Sequence, residues 1–191
     1  MAVCGVATEA AGNLLCKEMT EQCPCGRIPF MASVYIETSV VSYLTARPSA
    51  SLLAAAHQQI TREWWDHRRH RFEQYISPMV LDEAGRGDPE AAARRLAALD
   101  DFPVLEPTQS AAELVDVLIS DGALPSVARD DATHVAIATV HRMDYLVTWN
   151  CRHIDNAEAK PLIRSVCAVH GYTCPEICTP EELMGGATCE R

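Results

Sequence analysis

The sequence contains no apolar run that approaches the roughly 20 residues a membrane-spanning helix requires. It also shows no signal-peptide pattern. Residues 1–31 have neither a basic start nor a sustained apolar core, and Glu9, Lys17 and Glu18 interrupt them. We therefore expect a cytoplasmic protein that does not associate with a membrane.

The chain has no excess of positive charge, since 16 Lys and Arg residues face 26 Asp and Glu residues, giving a formal net charge of −10. This balance argues against a protein that coats DNA or binds a membrane through a polybasic surface. It does not exclude a nuclease with an acidic site, because bound metal ions neutralise such a site. The sequence also lacks a P-loop, a G-x-G-x-x-G motif and internal repeats.

None of the nine cysteines lies between residues 25 and 151. An odd number cannot all form disulfides, and a reducing compartment disfavours them. The segment 23–26, Cys-Pro-Cys-Gly, resembles half of a zinc knuckle but has no second half at zinc-finger spacing, so we interpret residues 1–31 as a disordered or spurious N-terminal extension. The C-terminal group leaves two alternatives open, a structural zinc site or ordinary buried thiols. Its members are Cys151, His153, Cys167, His170, Cys174 and Cys178.

Strand-like and helix-like patterns alternate along the rest of the chain. Short apolar runs at 33–37, 75–77, 104–106 and 145–149 predict strands, and long helical patterns at 51–72 and 127–143 separate them. This alternation predicts an α/β fold, a three-layer α/β/α sandwich around a mainly parallel sheet of four to five strands. We assign residues 32–155 to the core, and 156–191 to a C-terminal helix, a Cys-rich edge segment and a tail of the same domain.

An acid stands at the end of the first predicted strand. Glu37 follows the apolar run and precedes two hydroxyl residues, Thr38 and Ser39. Ligand sites in open α/β sheets gather just beyond the carboxyl ends of the strands, which favours a functional role for this acid. The same three residues equally fit a helix start, with a hydroxyl as N-cap and an acid near the positive helix end.

Other polar residues fall at neighbouring strand ends. Glu83 lies on the helix after the second predicted strand, Asp130 and Asp131 open the helix before the last one, and Asn150 follows that strand. Carboxylates that share a cleft repel one another unless cations are present, and Mg²⁺ or Mn²⁺ with oxygen ligands would relieve that repulsion. Such a centre supports phosphodiester hydrolysis. His134 fits either a place beside these acids or an ordinary place in the core.

The order of these motifs resembles the PIN-domain family of nucleases, over residues 33–155 and more loosely to 184. The matching segments are Tyr35-Ile36-Glu37-Thr38-Ser39, Ser77-Pro78-Met79-Val80-Leu81-Asp82-Glu83, Asp131-Ala132-Thr133-His134-Val135-Ala136 and Thr148-Trp149-Asn150. In size and layout the chain looks like the VapC-type toxins of bacterial toxin–antitoxin pairs. Two positions depart from the family pattern: the first acid is Glu37 where Asp is usual, and Asn150 stands where Asp is usual.

The resemblance implies a Mg²⁺- or Mn²⁺-dependent endoribonuclease, usually a homodimer, that acts on RNA and is inhibited by a cognate antitoxin. Together with the grouping of acids described above, it leads us to predict catalytic roles for Glu37, Glu83, Asp131 and Asn150, and metal ligation by Glu37, Glu83, Asp130 and Asp131. Thr38 and Ser39 would support the first carboxylate.

A basic segment near the end of the long predicted helix offers a second interpretation. Arg68, Arg69 and Arg71 could contact the phosphate backbone of RNA or simply form a solvated helix face. If the metal site is weakened, the protein would instead be a non-catalytic PIN-like module that binds RNA or a protein.

Overall fold

The computed structural model describes residues 31–185, and in this part of the chain four strands form one parallel sheet in the order β2–β1–β3–β4. Every neighbouring pair of strands is parallel. The predicted α/β fold with a central parallel sheet is therefore confirmed. The strands are β1 (Ala32–Ile36), β2 (Phe72–Tyr75), β3 (Tyr145–Val147) and β4 (Glu176–Cys178).

Seven α-helices lie between and around these strands within the described residues. They are α1 (Thr38–Thr45), α2 (Leu52–His67), α3 (Pro78–Ala84), α4 (Pro89–Leu99), α5 (Gln109–Ser120), α6 (Arg129–Val140) and α7 (Ala159–Val169). Short 3-10 turns occur at Arg69–Arg71, Ser126–Ala128 and Glu182–Met184. None of the helices in this range is both long enough and apolar enough to cross a bilayer.

Local sequence explains several of these boundaries. β1 has a neighbour on each side, and its apolar residues Val34, Tyr35 and Ile36 are fully buried, as expected for the centre of a parallel sheet covered on both faces. α4 begins where Asp88 accepts a hydrogen bond from the Ala91 N–H at 2.9 Å, with proline at the first helical position.

The strand order changes direction between β1 and β3. The chain passes from β1 to β2 on one side of this point and from β3 to β4 on the other. Right-handed crossovers therefore place α1 and α2 on one face of the sheet and α7 on the opposite face. In agreement, α1 packs against α2, α3 and α4, whereas α5 packs against α6 and α7. The carboxyl ends of β1 and β3 thus meet at a topological switch point, where open α/β sheets bind ligands.

Two predicted elements differ from the structure. The predicted strand 104–106 is reduced to a single bridge between Val104 and Ile76, because prolines at 103 and 107 lack the N–H that continued pairing requires. The long predicted helix ends at His67 instead of 72, and β2 begins earlier than predicted because Phe72–Tyr75 pairs with β1. The interpretations of residues 1–30 and 186–191 lie outside the described residues.

Candidate metal centre

Glu37 lies directly beyond β1 at the switch point and its side chain is buried. Its N–H donates to the Val147 carbonyl at 3.1 Å, which fixes the backbone against the end of β3. Ser39 Oγ and Thr148 Oγ1 donate to Oε2, the latter at 2.6 Å. Both hydroxyls use the same carboxylate oxygen, so among the described residues no hydrogen bond engages Oε1. The carboxylate is held in place with one oxygen free for a further partner.

Glu83 is held in the same manner on α3, across the cleft from β1. Thr38 Oγ1 donates to Glu83 Oε2, and His134 Nε2 lies 3.1 Å from that oxygen. Again no hydrogen bond from residues 31–185 engages Oε1. The two hydroxyls after Glu37 thus orient different carboxylates. Ser39 orients that of Glu37, and Thr38 orients that of Glu83.

His134 is buried on α6 and links Glu83 to the central strand. Its Nδ1 lies 2.8 Å from the Tyr35 hydroxyl, which lies 2.6 Å from Ser77 Oγ. Both ring nitrogens are therefore hydrogen-bonded, and the orientation of the imidazole is fixed from two sides. This buried chain of polar groups runs from β1 through α6 to the second carboxylate.

The protonation of this pair follows from its surroundings. Burial acts to raise the pKa of Glu83, but the hydrogen bonds from His134 and Thr38 and the positive charges of His134 and Arg86 outweigh it, so the pKa is lowered. Burial acts to lower the pKa of His134, but Glu83 and the negative charges of Glu37 and Asp131 outweigh it, so that pKa is raised. Glu83 and His134 thus each favour the charged form of the other. Burial also raises the pKa of Tyr35, which keeps its hydroxyl protonated.

Glu37, Glu83 and His134 each offer a ligand atom, and these atoms lie within 4.8 Å of one another. Within residues 31–185 this is the one group of three His, Cys, Asp or Glu side chains with metal-binding spacing. The described C-terminal cysteines do not form such a group, although a zinc site was one alternative for them. Cys167 and Cys178 are buried free thiols, Cys174 is half-buried and Cys151 is exposed.

Asp131 is in the first turn of α6, three residues before His134, and its negative charge helps to raise the pKa of that histidine. Asn150 Nδ2 donates to Asp131 Oδ1 at 2.8 Å, and His153 Nδ1 lies 2.6 Å from Asp131 Oδ2. The His153 N–H in turn donates to the Asn150 amide oxygen at 3.1 Å. Both oxygens of this acid are therefore engaged, unlike those of Glu37 and Glu83.

Other predicted residues do not belong to this group of ligand atoms. Asp130 is exposed and its carboxylate lies 3.8 Å from the Arg86 guanidinium. Arg71 directly precedes Phe72, which pairs with Ala32 at the amino end of β1. Five strand residues at about 3.3 Å each separate that level from Glu37, a distance of about 16 Å along the sheet. The segment Arg68–Arg71 therefore lies at the amino ends of the strands, whereas the carboxylates lie beyond the carboxyl ends.

Sequence patterns alone did not assign Tyr35, Ser77, Thr148 or His153 to the site. Two signals were present. Tyr35 lies two residues before Glu37, so both side chains point to the same side of an extended segment. His134 lies three residues after Asp131, on the same face of α6. Thr148 and His153 come to the site because β3 lies beside β1.

The donor set suits a hard divalent cation. Mg²⁺ and Mn²⁺ prefer oxygen ligands and are usually held by one or two carboxylates, with water and substrate completing the shell. Glu37 and Glu83 each have one oriented carboxylate oxygen that no described residue engages. The residues present therefore fit such an ion, with an imidazole nitrogen nearby.

No protein-family profile matches the sequence, and no curated protein matches it. Among solved structures the chain is similar to one in the crystal structure of VapBC2 from Rickettsia felis bound to a DNA fragment from its promoter. The likeness covers 76% of this chain and 97% of that one, with 13% sequence identity and a TM-score of 0.45. A likeness at this level assigns no activity to the chain.

Proposed function

We propose that this protein is a divalent-metal-dependent endoribonuclease of the PIN type, the toxin of a toxin–antitoxin pair. One observation carries the proposal: two carboxylates, Glu37 and Glu83, are each fixed through one oxygen at a topological switch point, with Asp131 beside them. The order of the sequence motifs gives independent support.

In this proposal Glu37, Glu83 and Asp131 hold Mg²⁺ or Mn²⁺. When bound, the ion would lower the pKa of an attacking water and stabilise charge on the leaving oxygen of the phosphodiester. Thr148 and Ser39 keep the first carboxylate directed into the cleft. The amide of Asn150 adds a hydrogen-bond donor where the family pattern has an acid, and so fixes Asp131 without adding negative charge.

The partners follow from the motif resemblance and belong to the same proposal. We expect a homodimer and a cognate antitoxin protein that covers the acidic cleft. A small open reading frame directly upstream, encoding a DNA-binding protein that relieves growth arrest on co-expression, would support this assignment. If expression of the chain does not slow growth in any host tested, the toxin assignment fails.

The nuclease is tested with purified, EDTA-treated protein and a labelled RNA pool, with Mg²⁺ or Mn²⁺ added back. We expect cleavage by the wild type and a loss of at least about 100-fold in Glu83→Gln and Asp131→Asn, the scale seen when a group that stabilises the transition state is removed. Glu176→Gln is the matched control, because this exposed acid pairs with Arg164 at the start of β4, at the other end of the strands from the carboxylates. Equal rates in Asp131→Asn and the wild type would remove Asp131 from the mechanism.

One observation favours the alternative, a non-catalytic PIN-like module that binds RNA or a protein. Both oxygens of Asp131 are already engaged by Asn150 and His153, so this acid must exchange a partner to reach an ion. Under that alternative the folded wild type binds RNA or a protein but cleaves no RNA at any Mg²⁺ or Mn²⁺ concentration.

A further inference from the structure

Arg86 is an exposed cation close to the carboxylate cluster. It lies in the loop between α3 and α4, three residues after Glu83, and its side chain is 57% exposed. One guanidinium nitrogen pairs with Asp82 and another lies 3.8 Å from Asp130. Its positive charge also contributes to the lowered pKa of Glu83. Arg86 therefore lies at the rim of the site, between the helices that carry Glu83 and Asp131.

The backbone beneath this side chain is fixed by a second arginine. Arg95 on α4 donates from Nη2 to the Arg86 carbonyl at 2.5 Å and from Nε to the Ala84 carbonyl at 2.8 Å. The Arg86 N–H donates to the Glu83 carbonyl at 3.1 Å. Gly87 follows with a φ of +87°, a left-handed conformation that favours glycine and turns the chain immediately. These hydrogen bonds thus fix the backbone of Arg86, and with it the Cα from which the side chain extends, relative to Glu83.

The present partners of Arg86 can be exchanged. Asp82 and Asp130 are both exposed, and ion pairs between exposed side chains contribute only about 0–1 kcal/mol. A phosphate accepts two parallel hydrogen bonds from one guanidinium, which is the geometry that arginine favours. An RNA chain that approaches this acidic cleft must overcome repulsion, and a cation at the rim offsets it.

The basic segment Arg68–Arg71 is too distant to offset the repulsion between RNA and the acidic cleft. It lies at the amino ends of the strands, and the Arg69 guanidinium stacks over Trp65 at 4.7 Å while donating to Gln74 at 2.8 Å. An exposed cation near the carboxylates is therefore the better candidate for a contact with the substrate.

We propose that Arg86 binds a backbone phosphate of single-stranded RNA next to the scissile bond, and that Arg95 is the residue that positions it. This inference rests on the proposed function, because it places an RNA strand across the carboxylate cluster. It adds a substrate contact that is separate from the metal ligands.

The test measures binding and cleavage separately. Binding of a fluorescent random-sequence RNA 20-mer is followed by anisotropy with Mg²⁺ in an Asp131→Asn background, across a series of salt concentrations. Cleavage of the same RNA is measured with Asp131 intact. The variants are Arg86→Ala, Arg86→Lys and Arg95→Ala. Arg164→Ala is the matched control, because this exposed arginine on α7 pairs with Glu176 in a similar ion pair.

We expect Arg86→Ala to weaken binding about tenfold, the loss that follows when a charge-assisted hydrogen bond is removed. The slope of log K against log salt should fall by about 0.7, the value for one phosphate contact on a single strand. KM should rise more than kcat falls. Arg86→Lys should keep the slope but recover only part of the affinity. Arg95→Ala should weaken binding only while Arg86 is present.

Two results would overturn the inference. These are wild-type affinity in Arg86→Ala and an equal loss in Arg164→Ala. Failure of the proposed function looks different: the wild type then cleaves no RNA with either metal, while the dependence of binding on Arg86 persists. A wild type that neither binds nor cleaves RNA overturns both.

Discussion

The Tyr35 hydroxyl is buried within the central strand and has two polar partners, Ser77 Oγ at 2.6 Å and His134 Nδ1 at 2.8 Å. Replacing Tyr35 with Phe keeps the ring and removes only the oxygen. Both partners are buried, and among the described residues the Tyr35 hydroxyl makes the one side-chain hydrogen bond of each of these two atoms. The substitution therefore tests whether the polar chain that orients His134 exists as described.

The magnitude follows from the two groups left without a partner. A buried polar group that loses its hydrogen bond costs about 1–3 kcal/mol, and the Ser77 hydroxyl can rotate to recover part of that cost. We therefore expect Tyr35→Phe to lower the free energy of unfolding by about 2–4 kcal/mol. In a domain of this size each kcal/mol shifts the Tm by about 2–4 °C, so a decrease of about 4–16 °C is expected.

The assay is urea unfolding with EDTA present, since an unchanged m-value shows that only stability has changed. Adding Ser77→Ala removes one of the unpaired groups, so the double variant should be less destabilised than the sum of the single variants. Tyr75→Phe is the matched control. Tyr75 lies on the edge strand β2, and its hydroxyl donates only to the exposed Glu73 carboxylate among the described residues, at 3.3 Å. A Tyr35→Phe protein within about 0.5 kcal/mol of the wild type, the range of neutral surface changes, would refute the described network.

Three further predictions concern stability, metal binding and a thiol. Thr61→Ala removes the acceptor of the Trp149 indole N–H, now at 2.7 Å, and should lower the free energy of unfolding by about 1–3 kcal/mol in urea titrations. Millimolar Mn²⁺ should raise the Tm of the wild type but not that of Glu83→Gln in thermal scans, because an ion that binds only the folded state stabilises it. Burial raises the pKa of the Cys178 thiol to about 12, so peptide mass spectrometry should show alkylation at exposed Cys151 but not at Cys178 in folded protein at pH 8.5. Because the unfolded chain releases that proton at about pH 8.5, the contribution of Cys178 to stability should be lost as the pH rises from about 8.5 towards 12.

The parts of the fold that depend on local pattern could be predicted from the sequence. The first strand, the alternation of strands with helices and the parallel sheet follow from apolar runs and capping residues, and the structure confirms them. For the same reason Glu37 could be placed at the end of a strand and Glu83 on the helix after the next strand. The edge strand at Phe72–Tyr75 could not, because its two central residues, Glu73 and Gln74, are adjacent polar residues with no strand pattern, and the segment forms a strand by pairing with β1.

The remaining site residues depend on long-range contacts that no local pattern encodes. Thr148 reaches Glu37 because β3 pairs beside β1, although the two residues are 111 positions apart. The sequence groups His153 with the C-terminal cysteines, but the turn after β3 brings it to Asp131. The segment Arg68–Arg71 is the one basic cluster in the sequence. It precedes β2, which runs parallel to β1, so it lies at the amino ends of the strands and away from the carboxylates.

The most direct measurement of the central claim is the position of Mn²⁺ in crystals of the EDTA-treated protein soaked with that ion, located by anomalous scattering. We predict a peak bounded by the carboxylates of Glu37 and Glu83, with its occupancy lost in Glu83→Gln. A well-diffracting crystal with no anomalous peak at these carboxylates, or with its strongest peak at the C-terminal thiols, would contradict the assignment of this cluster as the metal centre.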